Sequence, residues 1–405
     1  MIHVCFAFRD EAGSFSKFAG TAMLSAFENI SKPLPSVTVH ILHDKTLTDD
    51  NREKFSYLAG RYNQLVKFYN VEDLCAEKIS AMLDLFPEID KARFNRSGLY
   101  KFFVPQVLPK EIDKAIYLEP GVIVNLDLSE LWKVDLGEKI LGVVPAVEIG
   151  SDIHTQDKIV ADGFVAAENY FNPGVLLMNL KLLRGEEEKI LDGMKFVSEH
   201  KYFSLLDQTV LNYCFSLQTE KLPAKFNSFV RWARSKKESA ARKIYYYTGY
   251  SLQLDTSDEF NALWLEFFTK TPWFDAATLA KLFEGFQQIH MRLKKSMTNL
   301  SIAMNGKTRG FCATPAYVDE LKKLFRVRAD EEFITLENQA AFQRLVASMK
   351  NSRGKKIFFI MAQGFNFNLL ARAGLTFGAD YLNAMEFLSE EQGMSMNSYP
   401  LIYSM

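Results

Sequence analysis

The chain has 405 residues, of which 48% are hydrophobic, and a formal net charge of -1. At roughly 100–200 residues per domain, this length allows two or three domains, and the hydrophobic content excludes an intrinsically disordered chain. A net charge so close to zero argues against a dedicated nucleic-acid-binding protein and supplies no general attraction to a membrane surface.

The four cysteines are far apart and form no CxxC pair, so the sequence signals neither a zinc site nor a redox motif. Cys5 and Cys214 stand in apolar surroundings, as core thiols do, which fits a reducing cytoplasm. The N-terminal apolar run turns polar after eight residues, and no apolar run reaches the ~18 residues of a membrane span. We therefore expect a cytoplasmic protein without a signal peptide, whose contact with a membrane would be peripheral.

Strands and helices alternate at the start of the chain. Strands are predicted over Ile2–Phe8, Val37–Leu42 and Leu65–Tyr69, and helices over Phe15–Asn29 and Thr48–Tyr62. Alternation at these spacings is typical of a βαβ series with a mainly parallel sheet. The predicted fold class is therefore α/β.

The centre of this half is the stretch from Ala115 to Leu131. A helix over Phe94–Val107 precedes it, and its buried strand ends abruptly at Glu119-Pro120-Gly121. The apolar run Val122–Val124 follows at once and predicts a second short strand. Because α/β proteins place their chemistry at turns that end buried strands, we expect this turn to carry function.

The rest of the chain continues the pattern and then restarts it. Further predicted elements are strands over 140–147, 170–180 and 243–254, helices over 185–200 and 205–215, a polar irregular stretch over 150–168, and a helical apolar stripe over 279–293. Beyond a boundary near Lys294–Lys307 come helices over 317–325 and 338–349 and a βα unit over 355–373. These patterns predict a first domain over 1–270, a helical connector over 271–299, and a small α/β domain over 300–405.

Several polar residues are candidates for a site, and each has a purely structural alternative. Asn172 before Pro-Gly suits a turn equally well, and Asp207 at a helix start is more often a cap. Lys101, in an aromatic helix, either extends to solvent or points into a cleft. The basic segment Arg231–Lys243 is most often a solvated face, but it suits a phosphorylated ligand if it lines a cleft. Gly364 follows a strand without companion glycines, which disfavours a dinucleotide-dependent oxidoreductase.

Taken in order, the blocks of this sequence resemble the family-8 retaining glycosyltransferases of the GT-A fold, in particular bacterial ones. The seven matching blocks are HVCFAFRDEAGSFSKFAGTAMLSAFENI, VTVHILHDKTLTDDNREKF, NRSGLYKFFVPQVLPKEIDKAIYLEPGVIVNLDLSELW, YFNPGVLLMNLKLLR, LLDQTVLNYCF, LPAKFN and IYYYTGY. They lie within residues 1–255, and their order makes the resemblance more specific than any single motif.

The resemblance implies a protein that binds a nucleotide-sugar, usually a UDP-sugar, and transfers the sugar with retained anomeric configuration. The residues that it assigns are Ala7, Phe8, Arg9 and Phe15 for the nucleotide, Lys101, Asn172, Asp207 and Gln208 for the sugar, and Asp207 and Gln208 for catalysis. No general base is assigned, because the family does not depend on a conventional Asp or His base.

The family's metal site is the part from which this sequence departs. The family carries Asp-x-Asp after Tyr-Leu, and these carboxylates hold Mn²⁺ or Mg²⁺ against the diphosphate. Glu119 and Gly121 occupy those two positions. The family's later metal-binding His corresponds to Tyr246, ahead of Gly249, and its phosphate-binding Lys to Leu252. One carboxylate and a phenol do not build an oxygen cage for a hard divalent ion, so we predict no bound metal and no other cofactor.

Two functions are compatible with these changes. In the first, the protein is a metal-independent glycosyltransferase, in which Arg231, Arg234 and Lys101 supply the counter-charge of the diphosphate. In the second, the fold has lost catalysis and serves as a binding or scaffold partner of an active glycosyltransferase. The resemblance also implies a role in surface-polysaccharide or lipopolysaccharide synthesis, with a glycan or glycolipid acceptor at the inner membrane face. The aromatic content is compatible with a homodimer.

Overall fold

The computed structural model describes residues 1–11, 13–31, 35–86, 96–149, 157–202, 205–248, 257–275, 279–280, 284, 304 and 306–385. The chain divides near residue 280 into two compact units. Most of the predicted connector over 271–299, with its apolar stripe, lies outside the described residues.

Both units alternate strands with helices. The described strands are Ile2–Ala7 (β1), Val37–His43 (β2), Leu65–Asn70 (β3), Lys114–Leu118 (β4), Val122–Val124 (β5), Leu141–Val143 (β6), Val175–Asn179 (β7), Thr219–Lys221 (β8), Ser228–Phe229 (β9), Ile244–Tyr246 (β10), Thr308–Ala313 (β11), Glu332–Thr335 (β12), Lys356–Met361 (β13) and Tyr381–Asn383 (β14). The described α-helices are Ser14–Asn29 (α1), Asp49–Arg61 (α2), Val71–Leu74 (α3), Ala76–Leu85 (α4), Ser97–Tyr100 (α5), Val104–Val107 (α6), Ser129–Trp132 (α7), Ala146–Ile149 (α8), Lys158–Ala161 (α9), Leu180–Leu183 (α10), Glu187–His200 (α11), Leu206–Phe215 (α12), Val230–Ser235 (α13), Glu259–Phe268 (α14), Val318–Phe325 (α15), Gln339–Asn351 (α16) and Asn368–Arg372 (α17). None of these helices is long and apolar enough to cross a bilayer.

The first unit is organised around a seven-stranded sheet in the order β3-β2-β1-β4-β7-β6-β8. Strands β3, β2, β1 and β4 pair in parallel, β7 runs antiparallel to β4 and β6, and β8 is parallel to β6. The predicted βαβ series is confirmed, and the other half of the sheet is mixed. The chain leaves β1 toward β2, whereas β4 lies on the opposite side of β1. The strand order therefore reverses at the β1–β4 pair, which opens a crevice at the carboxyl ends of these two strands.

The sequence of the first βαβ series explains why these elements form. Every residue of β2 is buried, as expected for a central parallel strand that is covered on both faces. Helix α2 begins where predicted, because the Thr48 side chain accepts a hydrogen bond from the Asn51 backbone N–H. Asp49 and Asp50 in its first turn place negative charge at the positive end of the helix dipole.

A small three-stranded sheet lies beside the turn that ends β4. Its order is β5-β10-β9, with β10 antiparallel to β5 and parallel to β9. Tyr246 pairs with Val122, so the predicted strand over 243–254 reaches the central turn. The strand ends at Tyr246, and residues 249–256, which include Gly249 and Leu252, lie outside the described part of the chain.

The second unit contains a four-stranded parallel sheet in the order β12-β11-β13-β14. Successive residues of β13 serve opposite faces: Phe358 packs into an apolar cluster with Leu345, and Phe359 into another with Leu321. This confirms the small C-terminal α/β domain. The sequence located β13 and the helices α15, α16 and α17, but not the three other strands of the sheet.

Candidate active site

The candidate site lies at the turn after β4, where the sequence predicted function. The Glu119 backbone N–H donates to the Gly174 carbonyl oxygen at 2.9 Å, and the Val122 N–H donates to the Glu119 carbonyl oxygen at 3.3 Å. The first bond ties the turn to the segment that enters β7, and the second closes the turn itself. The loop that precedes β7 therefore lies against the end of β4.

Lys101 is the central side chain of the site. Its ammonium donates to Glu119 Oε1 at 2.7 Å and to Asp207 Oδ2, and it lies 5.2 Å from the ring centroid of Tyr117. Lys101 is buried, whereas both carboxylates keep part of their surface exposed. The Tyr117 hydroxyl donates to Glu119 Oε1 at 2.9 Å. Burial alone would lower the pKa of Lys101, but the carboxylates of Asp207 and Glu119 outweigh it and raise this pKa.

These contacts decide between the alternatives that the sequence left open for two residues. Lys101 points inward to a pair of carboxylates and does not extend to solvent. Asp207 lies in the first turn of α12, but no side-chain capping bond is present at the start of that helix. Its carboxylate is turned to Lys101 instead. One cation between two anions leaves this group, which we call the lysine triad (Lys101, Glu119 and Asp207), with a net charge of about -1.

Asn172 and Gln208 meet beside the lysine triad. The Asn172 Oδ1 atom accepts from the Gly174 backbone N–H at 2.9 Å, which is the turn role that the sequence allowed. Its Nδ2 atom donates to Gln208 Oε1 at 2.9 Å. Asn227, which the sequence analysis missed, donates to Asn172 Oδ1 at 3.1 Å. Asn172 therefore serves both the turn and a polar network that includes the predicted catalytic Gln208.

Tyr246 fills the space between the two loops of the site. A Cβ atom at Gly174 would lie 2.5 Å from its ring, and one at Gly121 would lie 3.4 Å from it. The absence of a side chain at Gly174 is therefore what admits the ring, whereas a Cβ atom at Gly121 would make an ordinary van der Waals contact with it. Burial, with the nearby Glu119 and Asp207, raises the pKa of Tyr246, so the phenol keeps its proton at neutral pH.

Gly174→Ala should destabilise the protein by about 1–3 kcal/mol, because the new methyl group would meet the Tyr246 ring at 2.5 Å and Asn172 Oδ1 at 2.8 Å. Urea unfolding measures the change. Gly60→Ala is the matched control, since a Cβ atom there meets nothing within 4 Å. Tyr246→Leu in the Gly174→Ala background should recover part of the loss. Equal effects of the two Gly→Ala changes would contradict this packing.

The residues assigned to the nucleotide lie around the carboxyl end of β1. Ala7 and Phe8 are buried in the core, so only their backbone atoms are available to a ligand. The Arg9 Nε atom lies 3.3 Å from Asp44 Oδ2. Phe15, at the start of α1, has 42% of its surface exposed, which leaves its ring available for stacking on a base.

The basic segment has other partners in this structure. The Arg234 guanidinium donates to both carboxylate oxygens of Asp258, at 2.8 and 2.7 Å. Arg231 is exposed and lies 5.4 Å from the ring centroid of its neighbour Trp232. The charge of Lys101 is already offset by two carboxylates. In this structure Arg234 and Lys101 are paired with carboxylates, and the expectation that Arg231, Arg234 and Lys101 supply the counter-charge of a diphosphate stays a prediction.

The residues of the turn do not fit the Mn²⁺ or Mg²⁺ site that the resemblance implies. The carboxylate of Glu119 is bound to Lys101 and Tyr117, and Gly121 brings no side chain. The neutral phenol of Tyr246 is a poor ligand for a hard divalent ion. Over the described part of the chain, no three His, Cys, Asp or Glu side chains are grouped so that they could hold a metal ion.

Comparisons with known proteins all point to glycosyltransferases. The model of glycosyl transferase family 8 matches residues 6–248. A Haemophilus influenzae protein with a provisional glycosyltransferase name is 26% identical over 52% of this chain and 60% of its own length. The lipopolysaccharide 1,2-glucosyltransferase of Escherichia coli is 28% identical over 33% of this chain and 39% of its own. The chain thus spans less than two thirds of the length of both relatives.

Two solved structures share their fold with about two thirds of this chain. The bifunctional glycosyltransferase WbbM superposes with a TM-score of 0.52 at 19% identity, over 67% of this chain and 50% of that one. The galactosyltransferase LgtC, in complex with donor and acceptor sugar analogues, superposes with a TM-score of 0.51 at 21% identity, over 67% of this chain and 96% of that one. These similarities confirm the predicted GT-A fold.

Proposed function

Because the chain belongs to glycosyl transferase family 8, we propose that it transfers a sugar from a nucleotide-sugar to a glycan acceptor. A UDP-sugar is the proposed donor, and the anomeric configuration is retained. The observation that carries the proposal is the convergence of the lysine triad with Asn172 and Gln208 at the carboxyl end of β4. This is the crevice in which an open α/β sheet binds its ligands.

Each polar group has a proposed task in this reaction. The sugar binds at Asp207, Gln208 and Asn172, and Lys101 holds the Asp207 and Glu119 carboxylates in place. The bond between the anomeric carbon and the diphosphate oxygen breaks, and the acceptor hydroxyl oxygen bonds to the anomeric carbon on the same face of the sugar. The proton of that hydroxyl goes to the departing diphosphate oxygen. The neutral phenol of Tyr246 donates a hydrogen bond to the departing diphosphate, and backbone N–H groups supply further donors.

We further propose that transfer needs no divalent ion. Support comes from Glu119, which already serves Lys101 and Tyr117, and from Gly121, which has no ligand atom in a side chain. Both of these hydrogen bonds to Glu119 go to the same oxygen, Oε1. A metal ion on the same carboxylate would lie beside the buried Lys101 ammonium, and the repulsion between the two positive charges would oppose its binding.

Titration with nucleotide-sugars tests this function. The protein is titrated calorimetrically with UDP-glucose, UDP-galactose and UDP-N-acetylglucosamine, in EDTA and then in Mn²⁺, and UDP release is measured in parallel. We expect binding and turnover of at least one donor, at the same affinity and rate in EDTA. Activity that appears only with Mn²⁺ would contradict metal independence. Binding without turnover would favour the alternative of an inactive binding or scaffold partner, and no binding would refute donor recognition.

The proposed acceptor is a surface glycan or glycolipid, which is consistent with the similarity to the E. coli lipopolysaccharide 1,2-glucosyltransferase. Such acceptors are assembled at the inner membrane face, so the proposed location is the cytoplasm with peripheral membrane contact. A homodimer remains part of this proposal. Sedimentation of the purified protein with and without lipopolysaccharide micelles measures both the oligomeric state and the contact with the acceptor.

A further inference from the structure

A chain of hydrogen bonds runs from Gly174, at the site, to Asp157, which precedes α9. The Gly174 backbone N–H donates to Asn172 Oδ1, and Asn172 Nδ2 donates to Gln208 Oε1, both at 2.9 Å. Gln208 Nε2 then donates to the Tyr170 hydroxyl at 2.5 Å. That hydroxyl donates to Asp157 Oδ2 at 2.5 Å. These five residues form what we call the amide relay.

The groups at the two ends of the amide relay determine which atom donates and which accepts in each of its hydrogen bonds. At one end, the backbone N–H of Gly174 is only a donor, so Asn172 must present its oxygen there and its nitrogen to Gln208. At the other end, the ionised carboxylate of Asp157 is only an acceptor, so Tyr170 must donate to it. The Tyr170 oxygen is then left to accept from Gln208. The amide of Gln208 consequently has one allowed orientation.

Burial makes the alternative orientation costly. Tyr170 has no exposed surface, and only 4% of Gln208 is exposed. A rotated Gln208 amide would set its nitrogen against the Asn172 nitrogen, so that two donors would face each other in a desolvated place. Burial, then the charge of Asp157, raises the pKa of Tyr170, so its hydroxyl keeps the proton that it donates.

We propose that Tyr170 and Asp157 are positioning residues for sugar transfer, because they hold the Gln208 amide in one orientation. The inference rests on the proposed function, in which Gln208 contacts the sugar. A side-chain amide has two N–H groups and two lone pairs on its oxygen. The amide relay uses one N–H group and one lone pair of Gln208. The remaining N–H and lone pair of Gln208 have no other partner among the described residues and are presented to the substrate in a fixed arrangement.

Asp157 also has a structural task, and the test must distinguish this task from the positioning role. Its Oδ1 atom accepts from the Ile159 backbone N–H at 3.3 Å and caps α9. Asp157→Asn keeps an oxygen for the cap, but its NH2 group then replaces the oxygen that accepts from Tyr170. Asp157→Ser also keeps an oxygen for the cap, and its shorter side chain leaves Tyr170 without an acceptor. A positioning role therefore predicts a loss of kcat in both variants, whereas a role in the cap alone predicts that both stay active.

The first experiment is kinetic and uses the nucleotide-sugar that is turned over in the donor panel. Tyr170→Phe is expected to lower kcat about 10- to 100-fold, with a much smaller change in KM, because a misaligned amide loses interactions made in the transition state. Tyr202→Phe is the matched control, since the Tyr202 hydroxyl donates to Asp162 and makes no contact with Gln208. Equal kcat values for these two variants would overturn the proposal, as would unchanged kcat values for Asp157→Asn and Asp157→Ser.

The second experiment does not depend on activity. The Tm shifts of Tyr170→Phe and Gln208→Leu are measured singly and together. If the two residues share the amide relay, the double variant loses less than the sum of the single shifts, whereas Tyr202→Phe adds to Gln208→Leu. Additive shifts for Tyr170 and Gln208 would overturn the relay even in an active enzyme. Non-additive shifts without turnover of any donor would overturn the positioning role together with the proposed function. The amide relay would then have a structural role only.

Discussion

Lys101→Met should lower the free energy of unfolding by about 3–5 kcal/mol and remove sugar transfer. The substitution leaves the carboxylates of Glu119 and Asp207 facing each other without the ammonium that both now bind. Removing one partner of a buried ion pair costs this much because the remaining charge stays desolvated and unpaired. Urea unfolding at neutral pH measures the stability, and UDP release from the donor measures the activity.

Two control variants separate charge from packing in this prediction. The loss should shrink when Glu119→Gln and Asp207→Asn are added, since the two amides carry no charge that needs the ammonium. Lys78→Met is the matched surface control: Lys78 also lies 2.7 Å from a carboxylate, that of Glu187, but this pair is solvent-exposed and should contribute less than about 1 kcal/mol. Similar losses for the two Lys→Met variants would contradict the role of the lysine triad.

The chemical identity of the site residues could be predicted from the sequence, but their pairing could not. Lys101, Glu119 and Asp207 were each recognised by their position in a family block. The pairing of Lys101 with Asp207 joins residues that are 106 positions apart, and local periodicity contains no information on such a contact. The pairing of Arg234 with Asp258 was missed for the same reason, because the two residues are 24 positions apart.

Tyr170, Asp157 and Asn227 were missed because nothing in their immediate neighbourhood distinguishes them. Tyr170 stands in an apolar block, where an aromatic residue is an ordinary core residue. The buried amide of Gln208 needs one partner for its oxygen and one for its nitrogen, and Tyr170 is the partner of the nitrogen. This need cannot be recognised before the fold shows that Gln208 is buried. The one available signal for Tyr170 was its polar hydroxyl at the edge of an apolar block.

The βαβ series at the start of the fold was predictable because its elements carry strong local patterns. Buried parallel strands such as β2 are apolar throughout, and α2 has a Thr48 cap and an acidic first turn. In the second unit, β12 and β14 are only four and three residues long. Strands of that length leave too few residues for periodicity to identify, and pairing with β11 and β13 decides their conformation.

Acidification from pH 7 to pH 5 should cost the native state about 2 kcal/mol through His40 alone. His40 has no exposed surface. Its ring nitrogens lie 3.0 Å from His3 Nδ1 and 3.0 Å from the Tyr69 hydroxyl. Burial, and then the nearby His3 and Lys67, lowers the pKa of His40 from 6.5 to about 3. The native ring therefore stays neutral at pH 5, while the ring of the unfolded chain takes up a proton.

The sign of this effect follows from the direction of the pKa shift. The unfolded chain binds more protons than the native state between pH 6.5 and about 3, so stability is fully present above pH 6.5 and falls as the pH falls. Urea unfolding at pH 7 and pH 5 measures the difference. His40→Gln should reduce this difference by about 2 kcal/mol, whatever its effect at pH 7. The exposed His200, changed to Gln, should leave the difference as it is. An unchanged difference in the His40 variant would show that the buried imidazole does not control the acid stability of the sheet.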